Sequence, residues 1–149
     1  MKNYKWVLAA CAAVLCNGAL AAGCLLATAP VVTFPAYDVA SATPTSTAPL
    51  ITMNCTGNAT QDISIGASSV SGSITNRQMK HATRTDRLNY NLYKDSGYTT
   101  VWGTSAAGSS LKVTNPKTNE VQTIYARIPA GQDVAVGSYS DSVTVTLSP

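Results

Sequence analysis

The amino-acid sequence predicts an all-β protein with an immunoglobulin-like β-sandwich fold, and three observations support this. Apolar and polar residues alternate with a period of two over short runs that are rich in β-branched side chains. Turn-forming residues separate these runs, among them Gly57, Gly97 and Gly131. Only 11% of the residues are charged, against about 25% in an average globular domain. Roughly six or seven short strands split by turns are typical of a sandwich, and the polar, weakly charged composition suits an extracellular protein.

The alternating runs follow one another along the chain. Residues 29–38 alternate, but Pro30 and Pro35 confine that strand to an edge or a kinked position. Alternation also predicts strands within residues 49–55, 61–67, 88–94 and 122–129. The clearest case lies near the C-terminus, where one face is apolar apart from one acid and consists of Tyr139, Asp141, Val143, Val145 and Leu147. We expect Asp141 to hydrogen-bond a neighbouring loop, because buried acids are rare unless they are paired.

Residues 1–21 are predicted to be a secretory signal peptide. Lys2 and Lys5 precede and flank the start of an apolar run over residues 6–15, and small residues follow it before the expected cleavage after Ala21 or Ala22. The apolar run is too short to span a bilayer, which takes about 20 apolar residues. Cleavage leaves one domain over residues 22–149, in which eight basic residues face seven acidic ones, a net charge of +1. That near-neutral charge does not indicate nucleic acid as a partner.

Cys24 and Cys55 remain in the exported chain, and two interpretations of them are open. The favoured one is a disulfide, because paired cysteines are usual in oxidising compartments. It would close a loop of about 30 residues and contribute roughly 3–4 kcal/mol. The alternative is a small lipoprotein, because the segment Ala21-Ala22-Gly23 before Cys24 loosely resembles a bacterial lipobox. That interpretation leaves Cys55 as a lone thiol.

The sequence offers no group of residues suited to catalysis, and we predict neither an enzyme, nor a cofactor, nor a metal site. His81 is the only histidine, so it has no second imidazole with which to form a histidine-rich metal site. No nucleophile or acid stands at a motif spacing around it. We interpret His81 as a structural or surface residue.

A basic segment at residues 76–87 is predicted to be a solvated loop between two strands. Its basic residues are Arg77, Lys80, His81, Arg84 and Arg87. Binding of anionic polymers or nucleic acid is the alternative, but no aromatic residues are interleaved with the charges.

Trp102 and Tyr98 are the aromatic residues that a sugar-binding surface could use. We interpret Trp102 first as a packing residue and only second as an exposed platform for a sugar.

Two stretches resemble the signature blocks of the spore coat protein U domain family, which includes the subunits of archaic, Csu-type chaperone–usher pili. They are "LNYNLYKDSGYTTVWG" at residues 88–103 and "RIPAGQDVAVGSYSDSVTVTL" at residues 127–147. The spacing of Cys24 and Cys55, with "VTFPAYD" between them, also fits the opening of the family.

The resemblance implies an immunoglobulin-like fold that is incomplete, because its final strand is supplied in trans. In such subunits a donor strand completes the sheet, and here the edge of the receiving groove would be Tyr139, Val143, Val145 and Leu147. The implied partners are a periplasmic pilus chaperone, an outer-membrane usher and a neighbouring pilus subunit. The implied location is the cell surface, reached through the periplasm, or the medium. Adhesion and biofilm formation are the implied roles, without nucleic acid or membrane insertion.

One departure from the family concerns the N-terminus of the exported chain. Polymerising subunits carry an alternating donor segment before the first cysteine, whereas only Ala22 and Gly23 precede Cys24 here. We therefore expect a subunit that receives a strand but gives none, for instance at the tip of a pilus. The alternative is a free-standing adhesin or carbohydrate-binding module.

Overall fold

Eleven β-strands form the part of the protein that the computed structural model describes, residues 23–28 and 31–149. They are β1 (Gly23–Thr28), β2 (Thr45–Thr47), β3 (Leu50–Thr56), β4 (Gln61–Ile65), β5 (Arg77–His81), β6 (Arg87–Tyr93), β7 (Leu111–Val113), β8 (Asn119–Thr123), β9 (Tyr125–Ile128), β10 (Tyr139–Ser140) and β11 (Val145–Ser148). These ranges contain no helix. The all-β prediction is confirmed, and the predicted signal peptide lies outside the described residues.

The strands form three antiparallel sheets around one hydrophobic core. Their orders are β1-β3-β8, β10-β5-β6-β9-β2 and β11-β4-β7. The last two sheets share the C-terminal segment of the chain, since β10 pairs with β5 and β11 pairs with β4. The C-terminal segment therefore passes from one sheet to the other between residues 140 and 145.

The alternation seen in the sequence decides which side chains enter the core. The buried apolar side chains of β3, β4, β6 and β9 are those of one face of each predicted strand: Ile51, Met53, Cys55, Ile63, Ile65, Leu88, Tyr90, Leu92, Ala126 and Ile128. In β4 the other face is buried as well, because the loop after Trp102 covers Asp62 and Ser64. The Ser105 hydroxyl donates to Asp62 Oδ2 at 3.0 Å.

A disulfide joins Cys24 of β1 to Cys55 of β3. The two residues are direct partners in the antiparallel register, and both are buried. The disulfide prediction is confirmed. A lipid thioether would need the same Cys24 sulfur, and Cys55 is not the lone thiol that the lipoprotein interpretation requires.

Two strand predictions were wrong in part. Residues 31–38 form no strand, although Val32, Phe34 and Tyr37 still pack against the core. A strand needs a hydrogen-bonded neighbouring strand as well as alternation, and within the described part of the chain residues 31–37 make no backbone-to-backbone hydrogen bond. The predicted C-terminal strand is divided into β10 and β11, because residues 142 and 144 instead accept hydrogen bonds from Ser69 and Gly66.

The predicted basic loop at residues 76–87 was also largely wrong. Arg77, Lys80 and His81 belong to β5, and Arg87 begins β6. Only the turn around Arg84 is a loop, and Arg77 is completely buried. The many charges hid an alternating strand whose inward residues are Arg77, Met79 and His81.

Candidate functional site

An open groove crosses one side of the core. One wall is formed by β1 and the segment 31–37, and the other wall by residues 139–147, which include β10 and most of β11. Half-buried apolar side chains line the two walls: Leu26, Val32, Phe34, Tyr37, Tyr139, Val143 and Val145. The floor consists of core residues such as Met79, Tyr90 and Leu92. Leu147 packs against the core beyond the lined part of the groove.

Three adjoining cavities divide the groove along its length. The first, of about 150 Å³, lies between Leu26 and Val145 and is lined by aliphatic side chains alone. The second, of about 340 Å³, lies between Phe34 and Val143. The third, of about 370 Å³, lies between Tyr37 and Tyr139. Such a row of cavities suits side chains that project one after another from an extended chain.

Both walls also present main-chain groups that no strand pairs with. β10 and β11 each stand last in their sheets and are hydrogen-bonded on one side only, to β5 and β4. Among the described residues, no backbone-to-backbone hydrogen bond involves residues 31–37. Because main-chain N–H and C=O groups are obligatory hydrogen-bonding groups, such free edges favour pairing with another extended chain.

Asp141 is the acid among the apolar residues of the second cavity. Its Oδ2 accepts a hydrogen bond from the Tyr90 hydroxyl at 2.8 Å. Its Oδ1 accepts from the Ser69 hydroxyl at 2.8 Å and from the Val70 amide at 3.3 Å. Burial acts to raise the pKa of Asp141, but the hydrogen bonds to the carboxylate outweigh it and lower that pKa. The predicted bond to a neighbouring loop is confirmed, and the group is a carboxylate at neutral pH.

Tyr90 is the partner that holds Asp141 from the floor of the groove. Burial, together with the hydrogen bond to Asp141, raises the pKa of Tyr90 far above its ordinary value. Its hydroxyl therefore stays protonated and donates. The edge of the Phe34 ring meets the Tyr90 ring with centroids 6.0 Å apart, so the floor and the wall of the groove are in contact.

Arg77 lies below the groove with 0% of its surface exposed. Its Nη2 donates to the carbonyls of Gly66, Ile65 and Trp102 at 2.8, 3.1 and 2.9 Å. Its Nη1 donates to Asn91 Oδ1 at 2.6 Å. Burial lowers the pKa of Arg77, and the negative charge of Asp141 partly offsets that effect. Sequence reasoning missed this residue, because its partners are carbonyls from several distant segments.

His81 of β5 holds the segment before β10, and β10 itself, against β5 in the same sheet. Its Nδ1 accepts hydrogen bonds from the amides of Thr83 and Arg84, both at 3.1 Å. Its Nε2 lies 3.2 Å from the Val136 carbonyl oxygen, and its ring meets the edge of the Tyr139 ring at 5.0 Å. Two donors at Nδ1 suit the neutral imidazole that carries its hydrogen on Nε2. The arrangement agrees with a structural histidine.

Trp102 is completely buried, and its Nε1 donates to the Ile63 carbonyl at 2.8 Å. The packing interpretation of Trp102 is confirmed, so it offers no platform to a sugar. Tyr98 is half-buried, on a loop after β6. Its ring contacts the edges of Tyr93 and Tyr125, with the Arg127 guanidinium 4.8 Å above the ring centre.

The described residues contain no cluster of three or more metal-ligating side chains. In residues 23–28 and 31–149 there is also no helix long and apolar enough to cross a membrane.

The model of the Spore Coat Protein U domain family matches residues 10–146. The chain belongs to this family. The match includes both walls of the groove, the disulfide and the buried Arg77. The resemblance of the two signature stretches to the family is thereby confirmed.

Two known proteins resemble this family member over part of their length. Protein U of Myxococcus xanthus is 29% identical over 103 residues, which cover 66% of this chain and 57% of that protein. This chain thus spans little more than half of that relative. A chain in the crystal structure of the CsuC-CsuE chaperone-tip adhesion subunit pre-assembly complex, from the archaic Csu pili of Acinetobacter baumannii, is 23% identical. Its TM-score is 0.60, and the likeness covers 85% of this chain and 39% of that chain. It confirms the immunoglobulin-like fold.

Proposed function

We propose that this protein is a structural subunit of a chaperone–usher type pilus and that its groove accepts an extended strand from another chain. The groove itself is the observation that carries this proposal. Two walls with unpaired main-chain groups flank a row of apolar cavities, which is the arrangement that β-strand addition requires. Membership of the family and the likeness to a chain of a chaperone–subunit complex support the same function.

Filling the groove would stabilise the domain in two ways. A strand lying along β10 and β11 pairs with their free edge, and its alternate side chains cover the half-buried residues of both walls. Each square ångström of apolar surface removed from water contributes roughly 25 cal/mol. An empty groove leaves those residues in contact with water, so the isolated subunit should be weakly stable and prone to associate.

We propose two sources for the strand, used in sequence. A periplasmic chaperone fills the groove first, and a neighbouring subunit replaces it at the outer-membrane usher. Attachment and biofilm formation at the cell surface are the proposed outcome, with a position at the pilus tip as one form of it. Removal of residues 1–21, with cleavage after Ala21 or Ala22, would precede these steps. The intact mass of the exported protein tests that cleavage.

The test of strand acceptance is co-expression with the chaperone of the same operon. We expect a soluble one-to-one complex with the chaperone, and we expect aggregation or low yield without it. Val145→Lys places a charge in the groove and should abolish the complex. The matched control is Val121→Lys, on the outer face of β8, where the side chain is 46% exposed. A monomer that is equally stable with and without the chaperone would overturn the proposal.

A second candidate function, as a carbohydrate-binding module, is favoured by the tyrosine cluster. Tyr93, Tyr98 and Tyr125 lie together beside Arg127, and Tyr98 is held at a positive φ of 56°. Residues other than glycine in that region concentrate at functional sites. Binding of the monomer to a glycan array, lost in Tyr98→Ala and kept in Tyr37→Phe, would support this function. An array on which the monomer binds no glycan would count against this function.

A further inference from the structure

The groove is chemically uneven, and this unevenness constrains what can fill it. The cavity between Leu26 and Val145 is lined by aliphatic side chains alone. The next cavity contains the Asp141 carboxylate, which lies in the same row of inward-facing side chains as Val143 and Val145. A partner strand that covers the first cavity would therefore also cover a charge.

Asp141 retains capacity for one more hydrogen bond. Among the described residues, Oδ1 accepts from Ser69 and Val70, whereas Oδ2 accepts from Tyr90. A carboxylate accepts about four hydrogen bonds. Covering it with a wholly apolar strand would remove its second oxygen from water without replacing that contact, which is unfavourable for a charged group.

The charge beneath the groove indicates what kind of donor fits. Arg77 is buried with no carboxylate among its hydrogen-bond partners, and the field of Asp141 acts on it. Asp141 therefore already lies within the field of one buried positive charge. A lysine or arginine from the partner would add a second positive charge to a site that becomes covered, and the dehydration of that charge opposes binding.

We propose that the strand bound in this groove carries a serine or threonine hydroxyl opposite Asp141, within an otherwise apolar alternating face. This inference rests on the proposed function, because it names the chemistry of the strand that the groove accepts. A hydroxyl donates to Oδ2 and adds no charge. Threonine suits the position best, since its β-branched side chain also favours the extended conformation.

The experiment uses synthetic strand peptides and the exported chain with its disulfide intact. A parent peptide of alternating valine and serine residues, labelled with a fluorophore, is bound during refolding. Unlabelled peptides then compete with it, each with threonine in place of one inward valine. Threonine and valine have nearly the same shape, so the comparison isolates the hydroxyl. We expect one position at which threonine tightens binding by about tenfold, because the bond it makes is to a charged acceptor.

Two variants assign that preference to Asp141. In Asp141→Asn the ratio of the affinities of the threonine and valine peptides should fall towards one, because the charge of the acceptor is removed. In Tyr90→Phe it should increase, because Asp141 loses its donor from the floor and depends more on the peptide. Tyr90→Phe keeps the test decisive should Asp141→Asn fail to fold.

The failures are distinguishable. If peptides bind but no position prefers threonine, or if the preference is the same in Tyr90→Phe, this inference is overturned while strand acceptance stands. If lysine at that position binds more tightly than threonine, the charge argument is wrong. If no alternating peptide binds at all, the proposed function itself is overturned.

Discussion

The two sides of the core differ in how their polar groups and apolar surfaces are satisfied. On the closed side, Arg77 and Trp102 are completely buried, and carbonyls and amides of the same chain meet their polar hydrogens. On the groove side, Tyr139, Val143 and Val145 are only half-buried. On the closed side one chain covers the core, with Asp62 Oδ1 as a buried atom that has no hydrogen-bond partner, whereas the groove side has surfaces that a second chain would complete.

The difference shows how a domain can have one defined arrangement of strands and still leave part of its core uncovered. Directional hydrogen bonds on the closed side hold β4, β5 and β6 in one arrangement. The groove side depends largely on apolar contact, which is not directional. Substitutions should therefore have large effects on the closed side at all times, and effects on the groove side that depend on whether a strand is bound.

The largest expected effect is that of Arg77→Met. The buried carbonyls of Ile65 and Trp102 would lose their donor, which should lower the free energy of unfolding by about 3–5 kcal/mol at roughly 1–3 kcal/mol for each unsatisfied group. Urea unfolding followed by Trp102 fluorescence measures it. The control is Lys80→Met on the same strand, where the side chain is exposed and the change should stay within about 0.5 kcal/mol. Equal effects of the two variants would show that the buried hydrogen bonds of Arg77 do not stabilise the closed side.

Removal of the disulfide comes next. The double variant Cys24→Ser, Cys55→Ser should lose roughly 3–4 kcal/mol of stability. Because β1 forms one wall of the groove, strand peptides should also bind more weakly to this variant. Reduction of the unmodified protein should reproduce both effects, and unchanged peptide affinity would show that β1 needs no cross-link to hold its place.

Two truncations, one on each side of the core, test this difference directly. Ile63→Ala, on the closed side, should cost about 2–5 kcal/mol with or without a bound strand. Val145→Ala should cost less than about 1 kcal/mol in the free domain, because the side chain is already half-exposed. With a strand bound, that cost should rise to about 1–2 kcal/mol, since two methyl groups are then lost from a covered site. An unchanged cost in the complex would place Val145 outside the strand's footprint.

The smallest expected effect is that of low pH on the loop that carries Tyr98. The amides of Thr99 and Thr100 donate to the Asp95 carboxylate at 2.9 and 2.7 Å. These hydrogen bonds, above all the one from Thr99, lower the pKa of Asp95 to about 2. A depressed carboxylate pKa stabilises the fold above the unfolded value of 3.8, and this stabilisation is lost as the pH falls towards 2. The amide signals of Thr99 and Thr100 should shift in that range. Asp95→Asn should remove this response, while the amides of β3 serve as the reference.

Much of the fold could be predicted from local pattern. Alternation identified the inward faces, because a strand with one covered side must place every second residue in the core. Residues 31–38 also alternate, and Val32 and Phe34 do pack against the core, yet these residues are no strand. Pairing depends on a neighbouring chain segment, which the pattern of a single segment does not reveal.

Only one wall of the candidate site could be predicted from the sequence. The wall formed by Tyr139, Val143 and Val145 follows from alternation together with the family resemblance. The opposite wall and the role of Tyr90 depend on tertiary contacts between segments far apart in the sequence. Arg77 was misplaced for the same reason, since charge in a sequence indicates exposure unless distant carbonyls are known to meet it.

The cross-link between Cys24 and Cys55 also has a mechanical consequence. Tension on a strand bound in the groove would pull along the walls and load their hydrogen bonds in shear. β1 has only six residues and pairs with a single neighbour, the central strand β3. Since the disulfide joins direct register partners, β1 cannot slide along β3 unless a covalent bond breaks. Under load, β1 is therefore held to its sheet by a covalent bond, whereas β10 and β11 are held to theirs by non-covalent contacts alone.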